Sequence, residues 1–331
     1  MARNVVFSGI QPTGGIHIGN YFGAIKQWVT GQDDAENIFC LVDMHALTVP
    51  QDPAALRAQI LETATVLLAA GIDPAKSRLF VQSDVREHGE LTWYLSCVGS
   101  MGQLNRMTQF KEKSESQKGE VRVGLFTYPL LMAADILLYK TTHVPVGEDQ
   151  KQHIELTRDL AQRFNATYGE VFVLPEPAIP KAGARIMGLD DPTVKMSKSA
   201  PGSYHAVRVL DSPDQIKKTV MSAQTDSGRD IRVDPARPGV TNLLAIYCAA
   251  TGATPEEAEA HFASARGYGD LKKELVEILV ETLRPLRERN AELSADPSTV
   301  RDILRRSAEA ITPIARETVD AAKRAMGVGS G

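Results

Sequence analysis

The chain has 331 residues, 43% of them hydrophobic and 24% charged, and its 37 basic and 41 acidic side chains leave a net charge of -4. That is an ordinary globular composition with room for two domains; it excludes a disordered or fibrous chain, and any nucleic-acid contact must rest on local basic clusters rather than on bulk charge. Cys40, Cys97 and Cys248 form no CxxC pair, and neither a membrane-length apolar run nor a secretion signal is present, so the expectation is a reduced, cytoplasmic protein without a disulfide framework, a structural zinc or a membrane span.

Taken in chain order, the apolar runs "NVVFSGI" (4–10), "NIFCLVDM" (37–44) and "RLFVQS" (78–83) read as strands, separated by helix-like stretches such as "PAALRAQILETATVLLAAG" (53–71). The run "EVFVLPEP" (170–177) reads as a further strand. This alternation predicts repeated βα units and a mostly parallel sheet. From about residue 211 onward the patterns are helical, with Asp, Ser or Pro near their starts, which predicts a second, all-helical part. Between the two lies a loop rich in Gly, Pro, Ser and Lys (181–203).

Two short stretches carry chemistry. After the first strand, Gly14, Gly15 and Gly19 fall in the turn and at the start of the next helix, where glycine serves either a tight turn or a close backbone approach and helix N–H groups favour an anion. His17 and Asn20 of "HIGN" add side-chain donors there. The pattern is neither GxGxxG nor a Walker loop. In the later loop, "KMSKS" places Lys195 and Lys198 three positions apart among small hydroxyl residues. Two mobile ammonium groups suit a polyphosphate whose charge grows during reaction.

Together, "HIGN" and "KMSKS" resemble the two signatures of class I aminoacyl-tRNA synthetases. The strings "FSGIQPTGGIHIGNYFGA" (7–24), "DMHALT" (43–48), "RMTQFKEKS" (106–114), "YPLLMAADILLY" (128–139), "VPVGEDQKQHIELTRDLAQRFN" (144–165) and "PGVTNLL" (238–244) narrow the resemblance to the bacterial-type tryptophanyl-tRNA synthetases. It covers most of the chain from residue 5 to about 244. It implies an α/β fold, a Rossmann-type parallel-sheet catalytic domain over 1–190, followed over 191–331 by the KMSKS loop and a helical anticodon-binding domain.

The resemblance also implies the site. Phe7, Met132, Val144 and Val146 would wall the indole ring, Asp135 would accept its N–H, and His45, Gln109 and Gln150 would surround the amino acid's polar end. Asp135 stands out on its own account, since a carboxylate in the apolar string "LMAADILLY" is costly to bury without a partner. On the nucleotide side the matching positions are Gln11, His17, Gly19 and Asn20 in the first turn, Lys113 for phosphate, Gly147 and Asp149 near the ribose, and Ile186 and Met196 near adenine. Lys195, Ser197, Lys198 and Ser199 complete the mobile loop. Where the family commonly has an acidic residue or asparagine after this signature, the chain has Ala200, but both lysines are intact.

The activity so implied is attack of the tryptophan carboxylate on the α-phosphorus of ATP, with Mg²⁺ accompanying the phosphates, followed by transfer to the 3′ end of tRNA(Trp). Family members are homodimers. The competing readings are a tyrosine-specific synthetase, a nucleotidyltransferase of the same superfamily, and a non-charging regulatory paralogue. Residues 255–331 carry twelve Lys and Arg against fourteen Asp and Glu, so tRNA contact would rest on the groups Arg284, Arg287, Arg289 and Arg301, Arg305, Arg306.

Overall fold

The computed structural model describes residues 3–109, 122–147, 150–178, 185–197 and 204–330. Among them β1 (Val5–Ile10), β2 (Glu36–Leu41), β3 (Ser77–Val81), β4 (His143–Pro145) and β5 (Glu176–Ala178) form one sheet in the order β3-β2-β1-β4-β5. Every pair is parallel, with Val5 opposite Glu36 and Ile10 opposite Leu41 on one side of β1, and Val6 opposite His143 on the other. Parallel neighbours require crossovers, which place helices on both faces. The α/β, Rossmann-type expectation holds. β5 is shorter than the apolar run suggests: pairing begins only at Glu176, and Pro177 occupies an edge strand, where a missing N–H is tolerated.

After β1 come α1 (Ile18–Asn20), a π-helical turn (Tyr21–Ile25) and α2 (Lys26–Thr30). β2 is followed by α3 (Asp43–Ala46) and α4 (Pro53–Ala69), and β3 by α5 (Glu87–Val98), α6 (Met101–Asn105) and α7 (Val123–Leu137). Helix α8 (Lys151–Tyr168) joins β4 to β5. The alternation of β2 sorts the interior into two layers: Phe39 and Leu41 belong to one apolar cluster, and Ile38, Cys40 and Val42 to the other, as side chains of period two must.

The C-terminal part consists of α9 (Pro213–Met221), α10 (Pro238–Thr251), α11 (Pro255–His261), α12 (Tyr268–Ala295) and α13 (Pro297–Met326). Their starts are the capping signals of the sequence. Ser212 accepts the N–H of Gln215, Thr254 and Glu257 form a reciprocal capping box, and Asp296 accepts the N–H of Ser298, each followed by proline at the first helical position. A cap of this kind contributes about 1 kcal/mol.

Helix α13 changes partner along its length. Val300 and Leu304 join the first cluster, whereas Ala308, Ile311, Ala315, Val319 and Ala322 join the second. It packs along β3, an edge strand of the sheet, and the Thr318 hydroxyl donates to the carbonyl of Leu138 at 2.8 Å. Covering an edge strand with a helix removes an open template for strand addition.

Candidate active site

The strand order reverses between β1 and β4, and in an open parallel sheet the crevice beyond the strand ends at such a point is where ligands bind. A cavity of about 440 Å³ lies there. Its lining includes all eight positions expected at the amino-acid end: Phe7, His45, Gln109, Met132, Asp135, Val144, Val146 and Gln150. Gln11 and Gly147, expected on the nucleotide side, share the same cavity. Residues more than ninety positions apart in sequence thus converge on one cavity beside β1 and β4.

Asp135 is the buried centre of this end. One carboxylate oxygen, Oδ1, accepts from Nδ1 of His88 at 2.6 Å and from Nε2 of Gln82 at 2.7 Å; the other, Oδ2, accepts from Nε2 of His45 at 2.8 Å. Burial pushes the Asp135 carboxyl up, but the hydrogen bonds from His45 and His88 outweigh it and hold the group well below the usual carboxylate range. A carboxylate offers about four acceptor positions. Three are taken, and one on Oδ2 remains.

Behind it, the Tyr139 hydroxyl donates to Nε2 of His88 at 2.6 Å. Burial, reinforced by the charges of Cys40 and Asp135, drives the Tyr139 phenol well above its usual range, so it keeps its proton. With Nε2 accepting, the ring proton of His88 must sit on Nδ1, aimed at Asp135. The aspartate is therefore fixed as an ionised acceptor before any ligand arrives. The Ser8 hydroxyl, buried in the cavity wall, has no hydrogen-bond partner among the described residues.

At the phosphate turn, the spacing of "HIGN" has a local cause. His17 caps α1: its Nδ1 accepts the N–H of Asn20 at 3.3 Å, while Oδ1 of Asn20 accepts the N–H of His17 at 3.3 Å. This is a capping box with histidine in place of the usual hydroxyl residue. Since Nδ1 accepts, the imidazole proton belongs on Nε2. Gly19 is required by the ring: a β-carbon there would stand 2.9 Å from Cε1 and Nδ1 of His17. The same β-carbon would meet Cβ of Met196 at 3.7 Å, so the two signature motifs lie against each other.

The second motif is carried on a turn closed by backbone pairing. Met187 bridges Lys195, the N–H of Met196 donates to the carbonyl of Ile186 at 3.1 Å, and that of Gly188 donates to Val194 at 2.8 Å. Ile186 and Met196 are buried, Lys195 is exposed and Ser197 half-buried. Lys113, Asp149, Lys198 and Ser199 lie outside the described residues, as does Ala200.

Gln82, His88 and Tyr139 were not legible as site residues. Gln82 sits just beyond the end of β3, the side on which a parallel sheet binds ligands, and that placement is the one signal that could have found it. Sequence spacing offers nothing comparable for His88. Of the arginines expected to meet tRNA, Arg284 pairs with Glu281 and Glu288, Arg289 with Glu292, Arg305 with Asp302 and Glu309, and Arg306 with Asp302, all within their own helices.

A parallel sheet with its cavity at the switch point and two phosphate-type motifs in contact defines a nucleotide-dependent enzyme of the class I synthetase type. The family described as tRNA synthetases class I (W and Y) matches residues 2–284, and the chain belongs to it. It is 53% identical to the tryptophan--tRNA ligase of Wolinella succinogenes over 99% of this chain and 100% of that one. It is 54% identical to that of Helicobacter pylori, with the same coverage. Among solved structures, the tryptophanyl-tRNA synthetase of Mycoplasma pneumoniae superposes with a TM-score of 0.91 at 36% identity, covering 99% of each chain. That of Campylobacter jejuni, complexed with ADP and tryptophan, superposes with a TM-score of 0.84 at 36% identity over 98% of this chain and all of that one.

Proposed function

We propose that the chain is a tryptophan--tRNA ligase, which activates L-tryptophan with ATP to tryptophanyl-adenylate and pyrophosphate and then transfers tryptophan to the 3′ end of tRNA(Trp). The observation that carries the choice of amino acid is the full-length likeness to tryptophan--tRNA ligases; an acceptor position left on Asp135, at the floor of an apolar cavity walled by Phe7, Met132, Val144 and Val146, fits it, though the phenol of tyrosine also offers a donor. An indole N–H meets it. A side chain of similar size without a donor leaves a buried charge short of a partner, a strong source of discrimination. The amino and carboxylate groups then face Gln109 and Gln150, while His45, expected with them, is bonded to Asp135 at the indole end, and the Ser8 hydroxyl gains a polar neighbour.

Activation needs no protein nucleophile. The tryptophan carboxylate attacks the α-phosphorus, the bond to the β-phosphate oxygen breaks, and pyrophosphate leaves with the electron pair. Catalysis is then positioning and charge stabilisation. Gln11, the Nε2–H of His17, Gly19 and Asn20 serve the phosphate turn; Gly147 and Asp149 serve the ribose; Ile186 and Met196 serve the adenine. Lys113, Lys195 and Lys198, with Ser197 and Ser199, neutralise the departing charge. Mg²⁺ would arrive on the ATP phosphates, since it keeps several waters and needs few protein ligands.

The helical part over 191–331 is assigned to the tRNA anticodon. Arg284, Arg289 and Arg305 are exposed and held by surface ion pairs worth about 0–1 kcal/mol each, which a phosphate can displace. The chain is further assigned as a cytoplasmic homodimer: Trp93, Met101 and Val123 are 68%, 67% and 76% exposed on the adjoining elements α5, α6 and α7, an apolar face that suits a second copy. No helix among the described residues is long and apolar enough to cross a membrane.

Tryptophan-dependent ATP–pyrophosphate exchange, run over all twenty amino acids without tRNA, tests the reading. Exchange with tryptophan alone is the expected result. Exchange with tyrosine would overturn the pocket assignment, and silence from a folded, tryptophan-binding protein would favour a regulator.

A further inference from the structure

The string "PGVTNLL" sets a polar side chain, Asn242, among the buried Val240, Leu243 and Leu244 of α10. Asparagine is a poor helix former, and a buried amide costs free energy unless its polar atoms find partners. Asn242 is 3% exposed, and its partners lie outside its own helix. Oδ1 accepts the N–H of Met187 at 2.9 Å, and Nδ2 donates to the carbonyls of Met187 at 3.0 Å and Gly188 at 3.3 Å. The Met187 N–H can only donate, so the amide has one orientation.

These two residues belong to the turn that carries Lys195. In it Met187 and Lys195 are an antiparallel pair, and the bonds from Gly188 to Val194 and from Met196 to Ile186 flank that pair without joining it. In a pair of this kind the N–H and C=O of each residue point away from its opposite number, while the two residues stand close. The outward groups of Met187 are those the Asn242 amide takes, in the place a third strand would occupy. Gly239, three residues earlier in α10, lets the helix come this near: a β-carbon there would collide with the carbonyl of Gln224, whose N–H donates to the carbonyl of Leu189 at 2.7 Å. Toward its other end α10 meets the helix that follows the first motif, where Nζ of Lys26 donates to the carbonyl of Ala249 at 3.2 Å. One helix of the C-terminal part thus touches the supports of both motifs.

We propose that Asn242 is a positioning residue for Lys195: by holding both main-chain groups of Met187 it fixes the strand opposite Lys195, and with it the backbone from which that lysine reaches the ATP phosphates. This rests on the assignment of Lys195 to phosphate. Removing the amide leaves one N–H and two carbonyls without their partner, and the turn can satisfy them only by shifting toward water. The tryptophan cavity has no part in that shift.

Two measurements on the full chain test the clasp. In tryptophan-dependent ATP–pyrophosphate exchange, Asn242→Ala is expected to lower kcat about tenfold, the scale of one or two lost hydrogen bonds, with KM for tryptophan unchanged. Because the amide acts through Lys195, the same substitution in a Lys195→Ala background should cost less than about twofold. A full tenfold loss in that background, or equal losses in kcat and KM, would overturn the proposal, since a general weakening of the fold adds to any other defect. Should Asn242→Ala fail to fold, Asn242→Ser carries the same comparison. Amide hydrogen exchange supplies a readout that needs no turnover. In the unmodified protein the Met187 N–H is expected to be protected as well as that of Gly188, and in the Asn242 variant Met187, Gly188 and Met196 should all exchange faster while the amides of β2 do not. An unprotected Met187, or rates at the turn unchanged by the substitution, overturns the clasp. Should the protection be found while pyrophosphate exchange is silent with every amino acid, the clasp stands and the ligase reading falls.

Discussion

The two ends of the site are built on opposite principles. At the amino-acid end, Asp135 is 1% exposed and held by three side-chain donors that are themselves held by helices packed on the sheet. At the phosphate end, Lys195 is exposed on a turn whose geometry comes from a few backbone bonds. Selection among similar side chains requires an acceptor that cannot adjust, since a group able to turn aside could satisfy itself with the wrong substrate. Stabilising a transient charge asks instead for cations that approach when that charge forms. With the proposed roles, rigidity and reach are divided between the two halves of one reaction.

Breaking the rigid end should have the largest effect. Asp135→Asn removes the charge that His45 and His88 donate to, and at pH 7 it is expected to cost about 3–5 kcal/mol in urea unfolding, together with loss of discrimination against phenylalanine and tyrosine. Because the folded carboxyl is held below its unfolded value, its contribution is fully present above the unfolded value near pH 4 and is lost as pH falls toward the folded one. The stability gap between the two proteins should accordingly narrow below about pH 4, and a gap constant from pH 7 to pH 3 would show that Asp135 is not held as an anion.

At the proposed phosphate end, Lys195→Ala and Lys198→Ala are each expected to slow adenylate formation about a hundredfold while tryptophan binding, followed by calorimetry, stays within a factor of about two. Equal losses in both would erase the contrast between the ends. Gly19→Ala tests the contact between the two motifs: its methyl displaces the His17 ring, and a fall of about tenfold in exchange is expected with a loss of stability no larger than the roughly 1 kcal/mol of the cap. The smallest effect belongs to Arg305→Ala. Its ion pairs are exposed, so stability should change by less than about 0.5 kcal/mol. Its effect should fall on tRNA charging alone.

Much of this was written locally and could be read locally. The helix starts at Ser212, Thr254 and Asp296 are statements about three neighbouring residues, and the signature motifs are contiguous strings. The cavity walls were reached through resemblance to a family, position by position. What stayed hidden are pairings across long sequence gaps: Gln82 and His88 meet Asp135 only after β3 and α7 are brought together, and no spacing in the chain announces it. The arginines show the converse. Their clustering was visible, but their preference for carboxylates three or four residues away depends on the helical geometry that places the pairs face to face.

The path of α13 has a consequence for the making of the protein. The edge strand it covers, β3, ends at Val81, and the helix that covers it begins at Pro297. At ribosomal rates of about 5–20 residues per second, the intervening stretch takes roughly 10–40 s to emerge. Throughout that interval the nascent sheet carries an open edge and an unfinished second apolar layer. The catalytic half therefore cannot be sealed as it is synthesised, and this edge is the surface a holding chaperone would have most reason to shield.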